Sequence, residues 1–324
     1  MAVDKGSRPG YNEFMAAQSD RSRPATTHAT IIRELLVRYL EVWAPAALHS
    51  SRRVTYLAGY AGSRVSGAGY AAAVLGVFAD FADLLVGRQL SVILVAGEAA
   101  PATRLPTLPD QVRVRVVAED AVVATLSGTD VAGAPLFAFL DAAAAAHPPP
   151  DPATVTAIAG ARASELLLTL DSARVDAADH RQALTRSGFR FVTGVELVDE
   201  AGRGVLLLFG TGSAKSLETF KDELWAVDEY AGIRYRDPGD PAHELLDISL
   251  TPHLGPLRRA LLDRVASVGE CTVAQLREYS LTETVYRAAD ATRVLGTLVT
   301  GGLLVRYPEK GRLTAETRLR SRGA

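Results

Sequence analysis

The sequence predicts an α/β protein with one large mixed domain, followed by a smaller module of helices and a hairpin. Short apolar runs alternate with helical stretches along most of the 324 residues, which is the pattern of a sheet covered by helices on both faces. Runs such as 92–95 are continuously apolar, as in parallel strands that are buried on both faces. After residue 255 the pattern changes to amphipathic helices.

The large domain is predicted to begin with a helix over 30–43 and to contain two more over 68–86 and 215–230. Seven strands are predicted, of which the last two lie close enough together to form a hairpin. They span residues 54–58, 91–96, 112–118, 136–141, 165–170, 189–197 and 205–209. This count and order resemble the Rossmann-like sheet of class I methyltransferases, in which the last strand enters antiparallel to the others.

Composition divides the chain into four segments. Residues 1–27 lack an apolar period and are predicted to be a disordered tail. Residues 28–236 form the methyltransferase-like α/β domain, and the turn-rich stretch 237–254 is the predicted linker. Residues 255–324 form the C-terminal module.

The C-terminal module is predicted to contain helices over 256–268 and 286–300, with a helix between them that Thr272 caps. A hairpin of 303–307 with 312–314 follows, and this order suggests a winged helix-turn-helix. A packing or protein-interaction module is the alternative. The module holds 12 basic and 7 acidic residues, so nucleic acid is a candidate partner. The candidate contacts, on the third helix and on the wing, are Arg287, Arg293, Arg306, Lys310 and Arg312.

Several classes of protein are excluded by composition. The single cysteine, Cys271, cannot build a disulfide framework or a cysteine-based zinc site within this chain. Six scattered histidines, none in an i, i+4 pair, make a metal enzyme improbable, so we expect no metal. No run reaches the roughly 20 apolar residues that span a bilayer, and the first residues have no apolar signal segment. We therefore expect a cytoplasmic protein without a membrane segment.

Candidate cofactor-binding residues follow the first three predicted strands. Gly59 and Gly62 lie in the turn after the first strand, where glycine lets the backbone approach a nucleotide-like ligand. Glu98 follows the second strand, where a carboxylate can accept hydrogen bonds from ribose hydroxyls. Asp120 follows the third and could accept the adenine amino group. Both acids could equally be solvated, or cap a helix.

Asp141 is the catalytic candidate, because it ends the apolar strand 136–141 at the edge of the sheet where active sites usually lie. A carboxylate there could orient a substrate amine or act as a base. The five alanines of 142–146 follow it, and they offer no side chain that could bind a ligand.

Seven short segments, in chain order over roughly residues 28–305, resemble the motifs of the three-Cys-motif partner family. The segments are the helix ending in Tyr39, Leu40 and Trp43; Ala58-Gly59-Tyr60-Ala61-Gly62; Pro135 to Asp141; Glu165 with Arg174; Leu208-Phe209; Lys221 with Trp225; and Glu283-Thr284 with Tyr286. The resemblance implies a methyltransferase-like domain, a winged-helix module and a partner protein, encoded nearby, that carries the three cysteines. The lone Cys271 agrees with cysteines that belong to the partner.

The departures from the family pattern fall where a cofactor and a substrate would meet. The family's acidic residue is replaced by Ala58, its Pro-Gly by Ser63-Arg64, and its Pro-Phe-Gly by alanines after Asp141. Since Trp43, Trp225 and other scaffold positions remain, the pattern is that of a pseudoenzyme. S-adenosylmethionine is thus a possible but doubtful cofactor.

We predict a catalytically degenerate protein that binds a partner protein or nucleic acid. One alternative is an active S-adenosylmethionine-dependent methyltransferase that acts on nucleic acid. Another is a DNA-binding regulator whose α/β domain senses a ligand.

Overall fold

The computed structural model describes residues 28–60, 64–95, 107–128, 131–143, 148–227 and 232–322, so the predicted tail lies outside the described residues. Within these ranges the helices and strands follow one another in the order expected of an α/β domain and a C-terminal module. The helices are α1 His28–Ser50, α2 Arg64–Ala79, α3 Val122–Leu126, α4 Pro152–Ala159, α5 Ala177–Ser187, α6 Ala214–Ala226, α7 Gly255–Val268, α8 Val273–Glu283 and α9 Ala288–Thr300. The strands are β1 Arg53–Tyr60, β2 Gln89–Val95, β3 Val112–Val117, β4 Leu136–Ala142, β5 Ser164–Asp171, β6 Phe191–Asp199, β7 Gly204–Thr211, β8 Ile233–Arg236, β9 Leu245–Leu246, β10 Glu270–Thr272, β11 Leu304–Tyr307 and β12 Arg318–Ser321.

The predicted mixed α/β class is confirmed. The seven predicted strands form one sheet in the order β3-β2-β1-β4-β5-β7-β6. The first five are parallel, whereas β7 runs antiparallel to both β5 and β6. This order and this antiparallel insertion are consistent with a methyltransferase-like fold.

The sheet is larger than the sequence predicts, because β8 and β9 extend it to nine strands in the described part of the chain. In β8 the buried Ile233 and Tyr235 alternate with Arg234 and Arg236. This alternation covers only four residues, which is too short to predict a strand from the sequence alone. Arg236 forms an ion pair of 2.8 Å with Glu196 of the neighbouring β6. Strand β9 lies within the stretch that the sequence predicts to be a linker.

Helix α1 lies against one face of the sheet and ends seven residues beyond its predicted limit. Its apolar face continues through Ala44, Ala47 and Leu48, which are all buried. Tyr39 lies at the centre of this contact, with its ring centroid 5.3 Å from that of Phe137 and 5.4 Å from that of Phe209. Aromatic packing of this kind joins the first helix to strands far along the chain.

The C-terminal module contains three helices and a small antiparallel sheet in the order β10-β12-β11. Thr272 caps α8 as predicted, within a complete capping box. The predicted hairpin is wrong in one strand, because β11 pairs with 318–321 and not with 312–314. Residues 314–317 form a turn in which Thr317 N donates to Thr314 O at 3.1 Å. The chain therefore pairs with β11 only after this turn, in β12, where Leu319 is fully buried.

A buried lysine connects the two units of the chain. Lys221, on α6, is fully buried, and its Nζ donates to Ser280 O at 3.0 Å, to Tyr286 O at 2.9 Å and to Thr284 O. Nearby, Trp225 Nε1 donates to Val285 O at 3.1 Å. The two sequence motifs that contain Lys221 and Thr284 thus meet in space, and their contact fixes the module on the α/β domain.

Asp237 completes this contact from the other side. Its Oδ2 accepts from Val285 N at 2.9 Å, and its Oδ1 accepts from Gly239 N at 2.9 Å. Burial lowers the pKa of Lys221 to about 7, an effect that the nearby Asp237 carboxylate opposes, and burial also raises the pKa of Asp237. Three carbonyls and a carboxylate therefore compensate for removing the ammonium from water.

No helix in the described part of the chain combines the length and the apolar character that a membrane crossing requires.

We predict that Trp225 and Trp43 stabilise the fold, since both are buried. Replacing either with alanine should lower the free energy of unfolding by about 3–5 kcal/mol, because a large buried side chain leaves a cavity. Val42→Ala is the matched control, because Val42 is 43% exposed beside Trp43, and it should change stability by less than about 0.5 kcal/mol. Urea unfolding measures both effects. A tryptophan variant that keeps its unfolding midpoint but loses ligand or partner binding would contradict the prediction.

Candidate functional site

The candidate site lies at the carboxyl ends of β1 and β4, where the strand order of the sheet reverses direction. Ligands of open α/β sheets bind outside the strand ends at this switch point. The structure brings two predicted residues together here, because Gly59 pairs with Leu140 and the next position, Tyr60, pairs with Asp141. On the other side of β1, Gly59 pairs with Val95 at the end of β2.

Gly59 is packed against protein atoms. A Cβ at this position would lie 3.1 Å from Leu140 Cδ2 and 3.7 Å from Val95 Cβ. The space beside its α-carbon is therefore already occupied by side chains of the two adjacent strands. Ala58, where the resembled family has an acidic residue, is fully buried in the hydrophobic core on the other face of the sheet.

Asp141 is buried, with 9% of its surface exposed. Its Oδ1 accepts hydrogen bonds from Thr169 Oγ1 at 2.6 Å and from Ala143 N at 3.3 Å. Burial raises the pKa of Asp141, and these two hydrogen bonds oppose that shift. The carboxylate that the sequence predicts as catalytic is thus held by its own strand and by the neighbouring β5.

Of the other predicted cofactor residues, Asp120 is the one that the structure describes, and it is not brought to this point. Asp120 is exposed in a short 3₁₀ turn, residues 119–121, after β3 at the far edge of the sheet. Gly62 and Glu98 lie outside the described residues. Among the described residues, the switch point therefore contains a glycine packed against side chains and a buried carboxylate, and the segments 61–63, 96–106 and 144–147 lie outside them.

Two of the five predicted nucleic-acid contacts flank Asp290, which is fully buried. The sequence predicts that Arg287 lies on the outward face of this helix. In the structure Arg287 is instead the N-cap of α9, because the helix begins at Ala288. Its Nε donates to Asp290 Oδ2 at 2.8 Å, and its NH2 group donates to Leu250 O at 2.9 Å. Arg293 lies on α9 and donates to Asp290 Oδ1 at 3.3 Å.

The other three candidates lie in or beside the wing loop, residues 308–317. Arg306 lies in β11, just before the loop, and Lys310 and Arg312 lie within it. The Arg306 guanidinium donates to the carbonyls of Pro308, Gly311 and Arg312 at 2.9, 2.7 and 3.0 Å, so it holds this loop together. Lys310 and Arg312 have exposed side chains. Of the five candidates, these two are best placed to meet a phosphate.

Two features, a buried hydrogen bond and an open cleft, were not predicted from the sequence. Tyr39 OH donates to Glu165 Oε2 at 2.6 Å, and burial raises the pKa of both groups. A cleft of about 410 Å³, including its open mouth, lies between α5, β6 and the turn before α9. Arg181 crosses this cleft and forms an ion pair of 2.9 Å with Glu283. Neither feature has a local sequence signal, because the residues in contact are about 100 positions apart or more.

No family model matches the chain, and no curated protein matches it. Solved structures do align with it. The N-terminal domain of EvdMO1 with SAH bound has a TM-score of 0.35 and 12% identity over 55% of this chain and 81% of that one. LPL1258 from Legionella pneumophila has a TM-score of 0.39 and 11% identity over 65% of this chain and 96% of that one. MnmC2 from Aquifex aeolicus has a TM-score of 0.35 and 15% identity, covering 56% and 61%.

All three TM-scores lie below 0.5, so these alignments do not support an activity. The fold is established by the chain's own strand order, which is that of a mixed α/β, mostly parallel sheet consistent with a methyltransferase-like fold.

We predict that Asp141→Asn stabilises the protein at neutral pH. Because the folded-state pKa of Asp141 is raised, the stability linked to its protonation is complete below its unfolded pKa and is lost as the pH rises through the folded pKa. Asparagine removes the buried charge, while its Oδ1 can still accept from Thr169 and Ala143. The urea midpoint should rise at pH 7.5, and the gain should shrink toward pH 4.

Asp171→Asn is the control, because Asp171 ends the adjacent β5 and accepts only a local hydrogen bond from Ala173 N at 3.1 Å. Its urea midpoint should match that of the wild type, because asparagine keeps the Oδ1 that accepts from Ala173 N. A loss of stability in Asp141→Asn at pH 7.5 would show that its hydrogen bonds outweigh the cost of burying the charge.

Proposed function

We propose that this chain is a methyltransferase-like protein that binds S-adenosylmethionine poorly, if at all, and acts by binding a partner protein. The observation that supports this proposal most directly is that Gly59 and Asp141, at the switch point, are both engaged by neighbouring side chains. There Leu140 lies 3.1 Å from the position of a Cβ on Gly59, and the Asp141 carboxylate is bonded to Thr169.

A cofactor at this edge needs an exposed backbone to approach and a carboxylate to accept its hydrogen bonds. Ala58 supplies no carboxylate, and it is buried in the core. Losing a charged hydrogen bond costs about 1.5–3 kcal/mol, which weakens binding roughly ten- to a hundredfold. A weak or absent cofactor site on an otherwise complete sheet favours a role in binding over catalysis.

A protein partner is favoured over a DNA duplex by the charges of the C-terminal module. Its three helices and three strands follow the order that we expect of a winged helix, and α9 would then be the helix that enters a major groove. The outward side chains of α9 are mostly small and uncharged, and its one arginine, Arg293, is paired with Asp290. Such a helix offers few groups that could read base edges.

The resemblance to three-Cys-motif partner proteins suggests the class of partner, a protein that carries the cysteines this chain lacks. Cys271 is buried between the helices and the small sheet, so it belongs to the module's core. We therefore expect the partner to bind through surface contacts and not through a cysteine of this chain.

Isothermal titration calorimetry with S-adenosylmethionine and S-adenosylhomocysteine tests the cofactor half of the proposal. We expect no saturable heat at ligand concentrations up to about 1 mM. A micromolar dissociation constant for either ligand would overturn it and favour an active methyltransferase.

A second titration tests nucleic acid as the partner, using a labelled 20-base-pair duplex and fluorescence anisotropy at 50 and 200 mM salt. We expect at most weak binding at low salt, lost at high salt and reduced by Lys310→Ala/Arg312→Ala, because only phosphate contacts remain. Arg186→Ala, on the distant α5, is the control. Tight binding that survives 200 mM salt would favour a DNA-binding regulator instead.

A further inference from the structure

The outer face of the small sheet in the C-terminal module presents apolar and basic side chains side by side. Leu303, Val305 and Tyr307 are 42%, 38% and 40% exposed. Across the ladder, Val305 pairs with Arg320 and Tyr307 pairs with Arg318. We call these five residues the β11 face.

Strand β11 is also an open edge of this sheet, since the order is β10-β12-β11. Every second residue of an edge strand directs its backbone N–H and C=O away from the sheet. Natural edges are usually protected by charged side chains, and Arg306 is the only charged residue in β11. Its guanidinium is bonded to the wing-loop carbonyls, so it does not protect the edge.

The charge of the β11 face is positive. Arg318 and Arg320 both lie near Glu270 of β10, with N–O distances of 3.3 and 3.7 Å, so one carboxylate faces two guanidinium groups. The Arg320 guanidinium also lies over the Tyr307 ring, 5.1 Å from its centroid. A ligand with carboxylates would therefore find uncompensated positive charge beside an apolar strip.

We propose that the β11 edge binds an acidic, extended segment of the partner protein, which adds to the sheet as a fourth strand. Backbone hydrogen bonds would supply affinity. The side chains at every second position of the added strand would face the β11 face, with apolar groups over Val305 and Tyr307 and carboxylates that reach Arg318 and Arg320. This inference rests on the proposed role in partner binding. It specifies the surface on which the partner docks and the chemical character of the segment that binds there.

Other occupants fit the face less well. A second copy of this chain would bring its own Arg318 and Arg320 against the same arginines. The segment 1–27 holds four basic and three acidic residues, so it is not an acidic strand. Single-stranded nucleic acid binds by stacking bases on several rings, whereas Tyr307 is the only aromatic residue after Tyr286 and is in contact with Arg320.

The test uses the full chain and a fluorescein-labelled peptide of about eight residues, a length that matches a typical strand. Glutamate and valine alternate on one face of this peptide, and threonine occupies the positions of the other face. Fluorescence anisotropy should show saturable binding, and the matched peptide with lysine in place of glutamate should not bind. Two variants test the face: Arg318→Glu/Arg320→Glu reverses the charge, and Val305→Lys protects the edge. Each should weaken binding by about tenfold or more.

Arg258→Glu is the control, because it reverses the charge of an exposed side chain on α7, outside the β11 face. This variant should bind the peptide as the wild type does. Urea midpoints of Val305→Lys and Arg258→Glu should match the wild type, since the replaced side chains are exposed. Arg318→Glu/Arg320→Glu loses its ion pairs with Glu270, so its midpoint should fall slightly, with the protein still folded under the assay conditions. A peptide that does not bind, or that binds equally to every variant, would overturn the inference. So would tighter binding of a 15-nucleotide thymidine strand than of the acidic peptide.

The two proposals fail separately. Micromolar binding of S-adenosylmethionine would overturn the proposed function whatever the peptide does. Absence of peptide binding, with no cofactor bound, would overturn the β11 docking site and leave the proposed function standing.

Discussion

The arrangement of the whole chain depends on the ammonium group of Lys221. It is fully buried and donates to the carbonyls of Ser280, Thr284 and Tyr286, about 60 residues further along the chain. A buried charge without partners would cost several kcal/mol, so α6 and the turn before α9 must stay together. Trp225 and Asp237 bind the same turn through Val285. The C-terminal module is consequently held in one position on the α/β domain.

Polar groups at the positions expected to bind ligands are bonded instead to the protein itself. Asp141 is held by Thr169, and Arg306 is held by the carbonyls of its own loop. A group that already has its hydrogen bonds gains little from a ligand, because binding would exchange one partner for another. The β11 face differs, since it has two arginines for one carboxylate and an unpaired strand edge. The satisfied hydrogen bonds of Asp141 and Arg306, set against the excess positive charge of the β11 face, explain why we propose a binding role for that face.

Local features of the fold were predictable because their causes are local. The seven strands follow from continuous apolar runs, and the start of α8 follows from the Thr272 capping box. Strands β8 and β9 were missed because they are short and depend on pairing for their position. Strand β8 pairs with β6, whose partner residues lie 34 to 40 positions earlier, and β9 pairs with β8. The second strand of the hairpin was misplaced because the turn between Thr314 and Thr317 is closed by hydrogen bonds that have no apolar pattern.

The sequence by itself determined the seven strands of the large sheet, the cap of α8 and the absence of a carboxylate at Ala58, because these depend on residue type and spacing alone. Only the tertiary structure decided what the charged side chains do. Asp141 meets Thr169 from a strand 28 residues away, and Arg287 is bonded to Leu250, 37 residues before it. Whether a carboxylate or a guanidinium faces a ligand or the protein's own backbone depends on which distant groups the fold places within about 3 Å of it, and no local pattern encodes that distance.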